Sequence, residues 1–374
     1  VITAKSGYWK DIQDAVNAVA AMGGGSVYIP EGTWNFVDVN ESWTGARVII
    51  PAGVNVYGAK TEKYENGTVK EWKTVLILPW DVPGSNSYDP PKWFLMQGNS
   101  NPNRPSRFSD IKLVGYREFN ESSTQVLRGI KVENVINFRI DHVYFRHIPE
   151  GIWIDGIYCS GVIDHNVLDN VYGWHGGTDW ASRTIGYGVR IDRTTTFSEW
   201  EELENLLGKY TNHTVFIEDN VFTKWRHCVV DNHGGHYVFR HNVIFNGSAF
   251  GEIDIHPEWN EPYVGGRCIE VYETTFTDPY GSPPGYPSFT LLGVVLHSGS
   301  GVFFNNTLSS YENFIQTNDN GWNPEFYPHD IYIWNNTLGG ANLIGGSAVQ
   351  DEDYFLYRPD WYEPYPYPHA LTLD

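Results

Sequence analysis

One phrase recurs along this chain and restricts its fold more than any other feature: apolar-x-x-Asn-x-apolar. It occurs in GVIDHNVLDNVYG (161–173), TVFIEDNVFTKW (214–225), HYVFRHNVIFNG (236–247), GVFFNNTLSS (301–310) and IYIWNNTLGG (331–340). Asn166, Asn220, Asn242, Asn306 and Asn336 share its slot. A second phrase runs in step with the first: GIKVE (129–133), GIWID (151–155), GVRID (188–192), HCVVD (227–231), EIDIH (252–256), GVVLH (293–297) and FIQTN (314–318). Each alternates as a strand does, with positions two and four mostly apolar. Each is followed by an Asn phrase or a variant of it, such as FRIDHVYFRHI (138–148) or CIEVYETTFTD (268–278).

The shortest intervals between Asn slots, near 22 residues, suit one turn of three short strands and three bends. Longer intervals read as the same turn carrying a loop. Two phrases repeated in fixed order predict a coil of parallel strands rather than separate globular domains. In such a coil one turn's Asn lies ~4.8 Å above the next. The amides then bond to each other and to the bend backbone, so they are satisfied although shielded. The Asn column is expected to be structural, with no catalytic role.

The 374-residue length would ordinarily suggest two domains, but a coil whose turns pack only on their neighbours has no such limit. One domain is expected over 1–374: a cap (1–36), coils (37–345, most regular from 129) and a Pro/Tyr-rich tail (346–374) that packs along the coil or leads onward. In the cap, DIQDAVNAVAAMGGGSVYIPEGTWNF (11–36) reads as a helix with Ile12, Ala15, Val16 and Val19 on one face. Gly23–Gly25 stop that helix before a strand at SVYIP. SEWEELENLLGKY (198–210) reads as an inserted helix with a Ser198/Glu201 capping box and a stripe of Trp200, Leu203, Leu206 and Leu207.

With IQDAVNAVAAMGGGSVYIPEGTW at the start and Asn-phrase turns out to about residue 345, the chain resembles the right-handed parallel β-helix superfamily, the pectate-lyase-like fold. The resemblance implies an all-β, single-stranded parallel β-helix with an N-terminal capping helix and loop insertions. It further implies a secreted polysaccharide lyase, glycoside hydrolase or uronate epimerase, or a phage or surface glycan binder. The motif sets of particular families are incomplete here. The polygalacturonase set is absent, YPHD (327–330) is a partial echo of the uronate epimerases' Asp-Pro-His-Asp, and WRHCVV (225–230) is similar to the Arg-His strand of chondroitinase-B-like alginate lyases without its Lys-Ser companion.

Composition narrows the partners. A net charge of −20 argues against nucleic acid or an anionic membrane, and no apolar run reaches the ~18 residues of a span. The chain begins at Val1 rather than Met, which fits either a removed signal peptide or an excised fragment. Glycosylation sequons start at Asn40, Asn66, Asn120, Asn212, Asn246, Asn305 and Asn335, a modest excess over chance that favours an extracellular or cell-surface location. Cys159, Cys228 and Cys268 allow at most one disulfide, and Cys159 and Cys228 sit in apolar strands where inert thiols are expected.

Stacking the second phrase in one register yields candidate chemistry. Its fifth positions align Glu133, Asp155, Asp192, Asp231, His256, His297 and Asn318, and its third positions Lys131, Trp153, Arg190, Val229, Asp254, Val295 and Gln316. Carboxylates ~4.8 Å apart repel by ~0.9 kcal/mol in water and ~3.5 kcal/mol at an effective dielectric of 20. Shared protons, the neighbouring Lys131 and Arg190, or Ca2+ held by Asp155, Asp192 and Asp231 must relieve this.

Asp192, Asp231, His256, Arg190 and His227 are the candidate catalytic residues. For hydrolysis Asp192 and Asp231 would be acid and base. For elimination His227, His256 or Lys131 would be the base, and Arg190 or Ca2+ the charge neutraliser. Elimination is favoured because Arg190 and His227 accompany the carboxylates. Lys131, Trp153, Asp254, His233, His236, His297, Trp225 and Trp259 are candidate contacts for an oligosaccharide. Rings of neighbouring loops (Tyr172, Trp174, Trp180, Tyr187, Trp200, Trp225, Trp259, Tyr263, Tyr280 and Tyr286) are candidates for groove walls. A Zn2+ site from His233, His236, His256 and Asp231 is a weaker alternative. The rival class is a non-catalytic glycan-binding or envelope β-helix.

Overall fold

The structure, a computed structural model, describes residues 1–38, 43–63, 69–80, 82, 91–98, 104–118, 127–170, 186–193, 196–245, 251–255, 266–279, 291–318 and 327–373. Its strands form three long parallel sheets with ten, twelve and nine strands among the described residues, and one small antiparallel pair, Glu62–Lys63 with Val69–Glu71. One turn runs Glu150–Asp155 on sheet one, Ser160–Asp164 on sheet two and Val167–Asp169 on sheet three. Each strand then pairs with its equivalent one turn on. This is the right-handed parallel β-helix that the repeats predict.

Inward side chains stack by kind. On sheet three the column Leu76, Leu113, Phe145, Leu168, Phe222, Ile244, Phe276, Leu308 is in register from turn to turn and buried throughout. The helix Trp9–Ala21 covers the N-terminal end of this core with Ile12, Ala15, Val16 and Val19. It ends where the Gly23 and Gly24 amides bond the Ala20 and Val19 carbonyls, with φ of 90° and 124° that suit glycine.

The Asn slots lie at the bend between sheets two and three. Asn220 Nδ2 donates to the Ile163 carbonyl (2.8 Å) and its Oδ1 accepts from Asn166 N (3.0 Å), while Asn242 and Asn306 repeat the pattern. The residue before each slot (His165, Asp219, His241, Asn305, Asn335) has φ between 54° and 59°. Val143 and Thr274 take the slot in the variant turns and donate their amides to Asn166 and Asn306.

One expectation changes in detail. The inserted helix is short, Phe197–Glu202, and its capping box is Thr196 with Glu199 rather than Ser198 with Glu201; both pairs fit the same spacing. All three cysteines are free and buried. The tail packs on the outer face of sheet two, where Arg240 donates to the Tyr365 and Pro366 carbonyls, Glu218 accepts from His369 N, and Tyr362 donates to Glu270. No helix among the described residues is long and apolar enough to cross a membrane.

Candidate functional site

The outer face of sheet one carries three columns. One column sets Lys131, Trp153, Arg190, Val230 and Asp254 in register, with Val230 in the place expected of Val229, and the next sets Glu133, Asp155, Asp192 and His233. A further column runs Lys92, Arg128, Glu150, Tyr187 and His227; its middle three precede the glycines of GIKVE, GIWID and GVRID, and His227 opens HCVVD.

One strand is out of step with its expected register. In His227–His233, Val230 pairs with Arg190 and Asp231 with Ile191, and a bulge at Asn232 lets His233 take the place beside Asp192. Asp231 therefore turns inward, and so the expected row of four carboxylates is three followed by a histidine. Their repulsion is relieved by protein cations. Lys131 Nζ bridges Glu133 (2.7 Å) and Asp155 (2.6 Å), and Arg190 holds Asp192 at 2.6 Å. The Trp153 indole also donates to Asp192 Oδ2 (3.0 Å). Burial pushes the Asp155 carboxyl up despite Lys131. Burial works against the Lys131 charge, but Asp155 and Glu133 outweigh it and raise that group.

Trp153 is the hub of this cluster. The Arg128 guanidinium lies 3.9 Å from its ring centroid, Lys131 Nζ 4.2 Å and the Arg190 guanidinium 5.4 Å. Arg128 also pairs with buried Glu150 at 2.9 Å. Lys92, Arg128, Glu150 and Tyr187 form the column that an alignment anchored on the pentapeptides passes over. Starting that alignment one residue earlier exposes it.

Next along the seam, the Tyr187 and His227 rings stack at 5.7 Å. His227 Nδ1 lies 2.8 Å from the Gly251 carbonyl. A carbonyl can only accept, so Nδ1 carries the hydrogen and Nε2 faces Asp254 Oδ2 at 3.4 Å. His297 Nε2 approaches the other Asp254 oxygen at 3.6 Å. Burial keeps the Tyr187 phenol protonated to higher pH than usual. His227 itself is only 1% exposed.

The remaining candidates separate. Asp231 is fully buried, neither oxygen has a hydrogen-bond partner among the described residues, and it sits where a Cβ on Gly235 or Gly266 would meet Oδ2 at 2.3 or 2.7 Å. With no open face it offers no carboxylate pair with Asp192. Nor does it converge with Asp155 and Asp192 on a cation, since its side chain lies on the opposite face of the strand from theirs. Among the described residues no three His, Cys, Asp or Glu side chains gather as metal ligands. His236 is on sheet two, not in the seam: it is buried beside Thr214, and burial takes it down to about 3. Trp225 is a core residue that donates to the Leu168 carbonyl. His256 and Trp259 lie outside the described residues, as do Asn40, Asn66, Asn120 and Asn246 and every groove-wall ring except Tyr187, Trp200 and Trp225; Trp200 is buried under the Arg267 guanidinium and lines no groove, and Asn212, Asn305 and Asn335 are exposed.

Asp231 gives a direct stability prediction. Burial, then the Asp192 charge, raises its carboxyl well above the ordinary range. The native state therefore binds this proton more tightly than the unfolded chain. The stability it contributes is complete below about pH 4 and is lost as pH climbs through the raised value. Asp231→Val continues the Ile191 and Ile255 column. It is expected to stabilise the protein by about 1 kcal/mol or more at neutral pH, with a smaller gain in acid. Urea melts at both pH values check this; a gain that does not grow with pH contradicts it.

No family model and no curated protein matches the chain. Among solved structures it is similar to the tailspike protein of E. coli bacteriophage HK620, solved as a mutant in complex with a pentasaccharide. The TM-score is 0.54 at 15% identity, covering 91% of this chain and 55% of that one. The A-module of mannuronan C-5 epimerase AlgE6 from Azotobacter vinelandii superposes with a TM-score of 0.44 at 12% identity, covering 95% of this chain and 98% of that one. This chain thus spans about half the length of the tailspike chain. At such identity the tailspike likeness shows the fold, a parallel β-helix.

Proposed function

We propose that this protein is an extracellular or surface carbohydrate-active β-helix that cleaves an acidic polysaccharide by elimination on the outer face of sheet one. One observation carries the reading. In a chain of net charge −20, three cationic groups lie within 5.4 Å of one indole, beside a stacked Tyr–His pair backed by a carboxylate. Glu133, Asp155, Asp192 and Glu150 hold these cations in the closed seam, and a uronate carboxylate can take the place of such partners on Arg190 and Lys131.

In this reading Arg190 and Lys131 pair with the sugar carboxylate. That stabilises the negative charge formed when the neighbouring carbon loses its proton. His227 Nε2 takes the proton, and Asp254 balances the resulting imidazolium. As the C–O bond to the leaving sugar breaks, Tyr187 donates its phenolic proton to that oxygen. The burial of His227 requires the seam to open when polymer binds. The inward turn of Asp231 leaves hydrolysis without its expected acid–base pair. The tailspike's bound pentasaccharide supports the ligand class, and the exposed sequons at Asn212, Asn305 and Asn335 support the location.

A second reading, glycan binding without turnover, is favoured by the same burial of His227 and by the mutual pairing of the seam's charges. Incubation with polyuronates and neutral glycans, with and without Ca2+, separates the two. Unsaturated and reducing ends should rise together on an acidic polymer. Reducing ends alone mean hydrolysis, and binding with neither signal favours the second reading.

A further inference from the structure

A second concave surface lies on a different face of the coil. On the outside of sheet two, just beyond the end of the tail, a cavity of about 780 Å3 is bounded by Tyr28, Tyr57, Lys60, Lys63, Arg107 and His142, with Thr372 of the tail at one end. Its volume falls in the range of small-ligand sites. It shares no residue with the seam on sheet one.

The floor is a ladder built by successive turns. Arg107 forks onto Asp141 (2.7 and 2.8 Å), and Arg139 forks onto Asp164 (3.0 and 2.9 Å). Both carboxylates are fully buried and hold the guanidiniums in fixed geometry. The next residue in each turn is a histidine in the left-handed bend, His142 and His165, with φ of 53° and 55°. Their rings stack at 5.2 Å, and each directs Nδ1 at the adjoining aspartate (2.7 and 2.9 Å).

His142 is only 7% exposed, and its Nε2 has no hydrogen-bond partner among the described residues. A buried ring nitrogen without a partner costs free energy unless something binds it. Its Asp164 partner holds the His165 imidazole above its usual range, which favours the cation. Lys60 and Lys63 stand exposed at the rim. Asp110, the carboxylate among the lining residues, accepts from the Thr61 amide and hydroxyl on Oδ1. On the other side the Tyr28 and Tyr57 rings lie 5.5 Å apart.

We propose that this cavity is a binding site for an acidic saccharide bearing a carboxylate. The rim lysines and the guanidinium edge take the carboxylate, the His142 ring nitrogen takes a hydroxyl, and the tyrosine rings pack on the sugar. The site shares its ligand class with the reading of sheet one but none of its residues. It would hold a second stretch of polymer on a separate face while sheet one works on the first.

Calorimetric titration of the full chain with a short oligouronate tests it. Sulfated and neutral oligosaccharides of equal length, and acetate alone, serve as comparisons. Two equivalents of oligouronate are expected to bind. Lys60→Glu with Lys63→Glu, both exposed and remote from the core, should weaken one of them at least ten-fold. His142→Phe should weaken the same one, and Arg190→Ala should affect only the other.

Wild-type binding in the double lysine variant overturns the proposal, as does equal affinity for the sulfated sugar, the neutral sugar or acetate. A single equivalent lost in Arg190→Ala but not in the lysine variant removes this cavity and leaves the sheet-one reading intact. The converse removes the sheet-one reading and leaves this site.

Discussion

His227→Ala should lower the rate of release of unsaturated ends from an acidic polysaccharide by about 10²–10⁴-fold, the usual worth of a positioned acid or base. Its hydrogen bond to the Gly251 carbonyl fixes which nitrogen faces the seam, and Asp254 waits 3.4 Å from that nitrogen. Removing the imidazole removes the proton acceptor but not the cations that bind polymer, so kcat should fall while KM changes little. Tyr187→Phe should show the same split through loss of the proton donor. Arg190→Ala should instead raise KM as well as lower kcat, because that charge is used in both binding and turnover. Initial rates measured across polymer concentration decide the matter. A His227→Ala enzyme that keeps the wild-type rate would remove His227 from the mechanism.

The second large effect concerns the fold. Asn220→Leu is expected to cost at least about 3 kcal/mol and to lower Tm by several degrees. The amide bonds the Ile163 and Glu218 carbonyls, the Asn166 amides and Asn242 Oδ1. Leucine fits the apolar surroundings but leaves at least three buried polar groups without partners. The same change at Asn336, a half-buried position in the last turn of the stack, should cost less. Equal losses at both positions would mean that the column does not act as a continuous ladder. Denaturant melts of the two variants give the comparison.

The period of the coil could be read in the sequence because each turn repeats its hydrophobic pattern, and a stacked coil needs no long-range pairing to be guessed. The Asn slots and the Ile12, Ala15, Val16, Val19 face of the cap follow directly from that. What could not be read is any shift of a single residue. HCVVD sits one residue out of phase with its neighbours: His227 pairs with Tyr187, so Asp231 faces Ile191 and turns inward before the bulge at Asn232 brings His233 beside Asp192. A strand's two faces differ by one position, so an offset of one residue reverses the fate of a side chain.

The Arg128–Trp153–Arg190 cluster was half legible. Trp153 and Arg190 fall inside the repeated phrase, while Arg128 falls one residue before it. The sheet-two cavity was hidden for another reason. Its arginines and histidines lie in Asn-phrase strands and bends, where the repeat points to structure. The tail that bounds the cavity has no periodicity to place it.

The most direct test of the central claim is a crystal structure of the His227→Ala variant with a bound acidic oligosaccharide. The account predicts sugar density along the outer face of sheet one, with carboxylates paired to Arg190 and Lys131 and a ring beside Trp153. Density confined to any other face, with the seam still closed over the Arg190–Asp192 pair, would contradict it.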